Sequence, residues 1–358
     1  MQLTFILGNG FDRAIGLKTG YKDFYNWYIQ QPDESDDVAL MKEEINKYLK
    51  DEDSTWADFE IALGKFTNVI TDKERFIKVF ECARLALIRY LTEEYKVQRA
   101  ENEDFLLSAA YCLIDLSKKY AGDFPEERKA YFSVAQDTGT TFNCITFNYT
   151  TVLRDGYEEI QGSARSLSSH EDRWGRYKLG KMLNVHGQLD DFPILGVDNP
   201  EQIANENFRD DPDILQLMVK GEIDKKLGKN WRAEAQNIID DSDIIYVYGA
   251  SLGETDAFWW KTLAKWYEDN IEHRQLALYC HPDSDEDQLK KKQEEFLKNI
   301  SKYFTLGDYV ANVVVDSVIK RMVVKFAHMS VNSGMTMETS VTATAVPANE
   351  VDSFLRGD

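Results

Sequence analysis

Apolar positions recur along this chain with two different periods. Leu3-Thr4-Phe5-Ile6-Leu7 is a short, β-prone apolar run and predicts a buried strand at the start of the chain. It ends in Gly8-Asn9-Gly10, whose glycines allow a tight turn and close approach of a ligand to the backbone. Residues 11–15 then read as the start of a helix whose free N–H groups would suit a phosphate. A strand-to-helix turn without a ligand explains the same residues. No proline stands between Pro32 and Pro125, and that stretch is rich in Glu, Lys, Leu and Ala. Phe76, Val79, Phe80, Ala83, Leu87 and Leu91 recur at three- and four-residue steps, which predicts a helix with one core-facing stripe over 72–95. A similar stripe predicts a second helix over 104–119.

Strand-like runs follow at 143–147, 182–185, 193–197, 244–248 and 275–279, separated by helical stretches. This alternation predicts an α/β fold with a mainly parallel sheet and helices on both faces. The helices of roughly 36–140 then form a large insertion between the first strand and the second, inside one domain covering 1–328. A long charged helix is expected over 285–302, while 310–328 are too β-branched to assign. Residues 329–358, rich in Ser, Thr, Asn and Ala, read as a polar, disordered tail.

Composition narrows the function classes. With 43% hydrophobic and 12% aromatic residues, the 358-residue chain has ample material for a folded core. No apolar run approaches the roughly 18 residues of a membrane span, so a cytoplasmic protein without membrane contact is expected. A formal charge of −20 disfavours nucleic-acid binding, because phosphate recognition relies on lysine and arginine. Lys290-Lys291-Lys292 stands among glutamates, as on a solvated helix. Cys82, Cys112, Cys144 and Cys280 form no Cys-x-x-Cys pair, and the five histidines show no metal-ligand spacing. Reduced thiols and no metal site are expected.

In open parallel sheets ligands collect outside the carboxyl ends of the strands. Four predicted strand ends carry chemistry: Gly8–Asp12, Phe147–Thr150, Val185–Gly187 and Gly249–Asp256. Asn148 offers both a donor and an acceptor, and His186 is the side chain whose ordinary pKa lies nearest neutrality. Each also has a structural explanation, Asn148 as a turn residue capping the next helix and His186 as a packed histidine bonded to backbone. Arg13 replaces the third glycine of Gly-x-Gly-x-x-Gly, which argues against a dehydrogenase-type site, and no phosphate-binding Gly-x-x-x-x-Gly-Lys loop is present. Gly249-Ala250-Ser251-Leu252-Gly253 has the form of a hydrolase nucleophile elbow, with Asp283 or Asp285 and His328 as possible partners of Ser251.

Five ordered blocks resemble the AbiH family of bacterial abortive-infection proteins, implicated in defence against bacteriophage. They are Ile6–Asp12 with Gly16-Leu17 and Tyr21–Phe24, then Trp56–Glu60, Ile145–Thr150, His186-Gly187 and Tyr248–Asp256, and together they span most of the chain. The order of a glycine-rich first turn, Thr-x-Asn, His-Gly and Gly-x-Ser-Leu is also similar to the sirtuin-like superfamily, whose members bind NAD. That likeness implies a sirtuin-like Rossmann-type sheet with NAD as substrate or ligand and no other cofactor. By motif, Gly8 and Gly10 would line the diphosphate, Asn148 would hold the nicotinamide ribose or a water, and His186 would be the general base. Ser251 would lie near the adenosine, with Asn9, Phe11, Asp12, Gly249 and Asp256 completing the pocket wall. Two positions depart from the pattern: Asp12 stands in place of a small hydroxyl residue, and Thr150 in place of Asp. The resemblance implies either hydrolysis of NAD to nicotinamide and ADP-ribose or non-catalytic nucleotide sensing. A homo-oligomer or a defence-system partner protein would control it.

Overall fold

The computed structural model describes residues 1–48, 56–101, 139–162, 177–270, 273–280, 298–299, 302–304, 323–326, 328–329 and 337–338. Six parallel strands form the central sheet: β1 (Gln2–Leu7), β2 (Thr140–Thr146), β3 (Tyr177–Asn184), β4 (Ile244–Tyr248), β5 (Gln275–Cys280) and β6 (Val323–Phe326). Their order is β3-β2-β1-β4-β5-β6, that of doubly wound α/β sheets, and the direction of winding reverses between β1 and β4. Two further short strands, β7 (His328–Met329) and β8 (Met337–Glu338), pair antiparallel. Strand β7 begins at the last residue of the expected domain and β8 lies in the expected tail of 329–358, whose residues other than 329, 337 and 338 are outside those described, as are the predicted helix over 104–119 and most of the one over 285–302.

Strand β1 is buried on both sides because it lies between β2 and β4. Phe5 pairs with Cys144 and Tyr246 in register, and its ring stacks on Tyr246 and, one layer along, on Phe142. The opposite register, with Ile6, Ile145, Ile245 and Val247, faces α9 (Trp231–Asp240) and α10 (Ala257–Asp269) through Ile238, Ile239, Trp260 and Leu263. Right-handed crossovers running in opposite directions from β1 place α6 (Val152–Gly162) and α10 on opposite faces of the sheet.

Between β1 and β2 stand α1 (Asn9–Ala14), α2 (Tyr21–Tyr28), α3 (Asp36–Tyr48), α4 (Trp56–Phe66) and α5 (Lys73–Glu101). The stripe predicted for 72–95 is real, since Phe76, Val79, Phe80, Ala83, Leu87 and Leu91 are all buried in one cluster on α5. That cluster also holds Leu195, Val197, Phe208, Ile214 and Met218, the last two from α7 (Pro212–Met218), so the helices share a core with the segment after β3.

Residues 193–197 are not a strand. Gly196 has φ +156 and packs so closely on Met218 that a Cβ would meet its carbonyl oxygen at 2.0 Å. Pairing is limited to one isolated bridge, Val197 to Val219. The apolar run reflects burial in the helical core, a signal that periodicity does not separate from a short buried strand.

Candidate functional site

At the reversal of winding, the turn after β1 lies against the loop after β4. The Gly8 N–H donates to the Tyr248 carbonyl at 2.9 Å and the Gly10 N–H to the Gly249 carbonyl at 2.8 Å. A Cβ on Gly8 would stand 2.6 Å from Ala250 Cα, and one on Gly10 2.5 Å from Gly249 Cα. The glycine spacing therefore lets two backbones touch, with Gly249 itself in the left-handed region at φ +67. Asn9 Oδ1 accepts from the Thr19 hydroxyl at 2.6 Å, and Phe11 is buried.

Asp12, on the first turn of α1, points under the end of β2. Its carboxylate accepts from Asn148 Nδ2 at 2.8 Å and from the Thr150 hydroxyl at 2.7 Å, and all three residues are buried. Burial pushes the Asp12 carboxyl up to about 7, with the two hydrogen bonds opposing the shift. With its amide held by Asp12, Asn148 leaves Oδ1 buried and without a hydrogen-bond partner.

His186, two residues beyond β3, stacks on Phe147 with ring centroids 5.0 Å apart. Its Nε2 is buried and lies 2.9 Å from Asp256 Oδ1. Asp256 Oδ1 also receives Lys220 Nζ at 2.8 Å, and Lys220 reaches Glu60 Oε2 at 2.9 Å. Lys220 opens α8 (Lys220–Leu227) and Glu60 comes from α4; both side chains are 4% exposed. The intervening 193–197 segment ties them together: the Gly196 N–H donates to Glu60 Oε1 at 3.2 Å, and the Lys220 N–H to the Val197 carbonyl at 2.9 Å.

Charge balance in this quartet is uneven. Burial raises Glu60 far above the usual carboxylate range, and Asp256 adds to the rise while Lys220 opposes it. Burial would raise Asp256 as well, but Lys220 and His186 outweigh it and hold the carboxyl well below its ordinary value. His186 is pushed down by burial and then by Lys220, against the pull of Asp256. Burial and the Lys220 charge both favour the neutral imidazole.

Two clusters thus form at the strand ends. Asp12, Asn148 and Thr150 make one; His186, Asp256, Lys220 and Glu60 make the other. Asn184 spans them, its Nδ2 donating to the Asn148 carbonyl at 2.5 Å and its Oδ1 accepting the His186 N–H at 3.1 Å. An open groove of about 520 Å³ is lined by Tyr95, Lys96, Arg99, Thr151, Leu189 and Asp190 among others, and no member of either cluster lines it. Ser251 is exposed on the loop after β4. The non-glycine residue with positive φ there is Leu252, at 53°, whereas an elbow strains the nucleophile itself. His328 lies in β7, and Asp283 and Asp285 are outside the described residues. Among the described residues, no group of three or more His, Cys, Asp or Glu is placed to hold a metal, and no helix is long and apolar enough to cross a membrane.

Lys220 escaped the reading of strand ends because it starts a helix that follows no strand. Glu60 stands in the Trp56–Glu60 block, where an acidic residue on an apolar helix face was the available signal. A family model described as bacteriophage abortive infection AbiH matches residues 4–276, a span that contains every member of both clusters. No curated protein and no solved structure matches the chain.

Proposed function

This chain belongs to the AbiH family of bacteriophage abortive infection proteins, and from that premise we propose that it acts against phage by hydrolysing NAD at the bond between nicotinamide and ribose. One observation carries the reading. Asn148 Oδ1, just beyond β2, is a buried polar atom without a hydrogen-bond partner, a condition in which a core atom can receive a ligand or a water.

Breaking the C–N bond releases neutral nicotinamide and leaves a ribosyl oxocarbenium ion, which water attacks. His186, held neutral, takes the proton of that water, and Asn148 Oδ1 accepts from the water or a ribose hydroxyl. Products are nicotinamide, ADP-ribose and a proton. The dinucleotide would follow a sirtuin-like course along the carboxyl edge of the sheet, with Gly249, Ser251 and Asp256 on its far side. The Gly8–Asp12 turn would serve by its shape, because the Gly8 and Gly10 N–H groups are already bonded. An enzyme that drains NAD must be silent in uninfected cells, so control by self-association, a partner protein or the helices between β1 and β2 belongs to the proposal.

The test is incubation of the purified full chain with NAD, following nicotinamide and ADP-ribose, with Asn148→Ala and His186→Ala beside it. Each variant is expected to lose about 100-fold or more in turnover. Equal turnover in all three proteins would remove these residues from the chemistry. Calorimetric NAD binding without turnover, lost in Asn148→Ala, would assign the protein as a nucleotide sensor.

A further inference from the structure

Lys220, His186 and Asp256 meet at a single oxygen. Asp256 Oδ1 lies 2.8 Å from Lys220 Nζ and 2.9 Å from His186 Nε2, and the three side chains come from different parts of the chain. A carboxylate this close to a buried imidazole favours its protonated form and so raises its pKa, leaving less of the free base near neutral pH. Here a cation already occupies that carboxylate. We infer that Lys220 is a positioning residue that neutralises Asp256 and thereby keeps His186 as the free base.

The surroundings of His186 support this assignment. Glu60 on α4 takes the second contact of Lys220, which fixes the ammonium over Asp256. Arg232 on α9 adds a second, more distant positive charge, itself bonded to Asp198 at 3.3 Å. Phe147 and Tyr149 pack their rings beside the imidazole and contribute no charge near neutral pH, since burial holds the Tyr149 phenol protonated. Asp256 is thus the carboxylate in contact with His186, and Lys220 the cation in contact with that carboxylate. A lysine kept only for packing would have no reason to share its acceptor oxygen with the imidazole.

The inference rests on His186 being the base of the proposed reaction, but its test needs no NAD. The His186 ring is titrated by nitrogen NMR in the full chain, its signals assigned by their loss in His186→Gln. In the unaltered protein it is expected to titrate below the free-histidine value of about 6.5. Lys220→Gln should raise that midpoint by about one pH unit or more, a tenfold change in the proton affinity of the ring. Lys220→Arg should restore it, and Lys220→Gln should raise the midpoint less in an Asp256→Asn background, where only the direct repulsion of the ammonium is lost. An unchanged His186 midpoint in folded Lys220→Gln overturns the inference. So does a midpoint at or above the free-histidine value in the unaltered protein, a result that stands even if Lys220→Gln fails to fold. If NAD turnover is found, the acid limb of its pH profile should move upward by the same amount in Lys220→Gln. If it is not, the ring titration still decides the role of Lys220, so the two readings fail separately.

Discussion

Asp12 and Thr150, the two departures from the sirtuin-like pattern, are hydrogen-bonded to each other across 138 residues of chain. An aspartate at 150 would face Asp12 as a second buried carboxylate, whereas the threonine hydroxyl donates to it. Burial holds the Asp12 carboxyl at about 7 in the folded protein, against an ordinary value of 3.8. The folded state therefore binds more protons than the unfolded state between those limits, and Asp12 lowers stability as pH rises from about 4 to about 7. Asp12→Asn should flatten that fall by at most about 1.4 kcal/mol per pH unit, measured by denaturant unfolding from pH 4 to 7. Glu60 pushes in the same direction and remains in both proteins, so the difference between the two slopes isolates Asp12. Parallel slopes would mean that Asp12 is ionised throughout. The sequence marked Asp12 as unusual, yet the hydroxyl that receives it could not be read from neighbouring residues.

At the scale of elements, the turn after β1 was legible as strand, turn and short helix, and the structure contains each of them. Its glycines serve the contact with the loop after β4, where backbone meets backbone. Gly8→Ala and Gly10→Ala should each destabilise the fold by about 1–3 kcal/mol, the usual cost of overpacking a tight contact, seen as a lower thermal midpoint with or without nucleotide. A variant with unchanged stability would show that the loops separate freely. The 193–197 segment teaches the converse lesson. Its apolar residues announced burial correctly, but Gly196 at φ +156 and the bridge to Val219 make it a connector between Glu60 and Lys220.

For the whole molecule, the helices between β1 and β2 share a buried cluster with the segment after β3, separate from the cluster between the sheet and α9 and α10. Phe59 on α4 packs 5.0 Å from Tyr21 and 5.9 Å from Phe24, in a cluster that continues through Leu195 to Met218. Lys220 also links α4 to the strand ends through Glu60. Phe59→Ala should cost on the order of 3–5 kcal/mol and shift a single calorimetric endotherm as a whole. Two endotherms, of which only one moves, would make the helices an independent unit.

Local pattern alone determined the parallel α/β architecture, the long helix α5 and the strand ends that carry Asn148 and His186. Each depends on residues a few positions apart, whose periodicity records which side faces the core. The tertiary structure decided which polar groups meet there. Asp12 finds Asn148 across 136 residues, and Lys220 finds Glu60 across 160. Burial can be read from spacing because it is a property of one element. The pairing of buried charges arises only where elements distant in sequence pack together, and here it turns an aspartate and a lysine into the supports of an asparagine and a histidine.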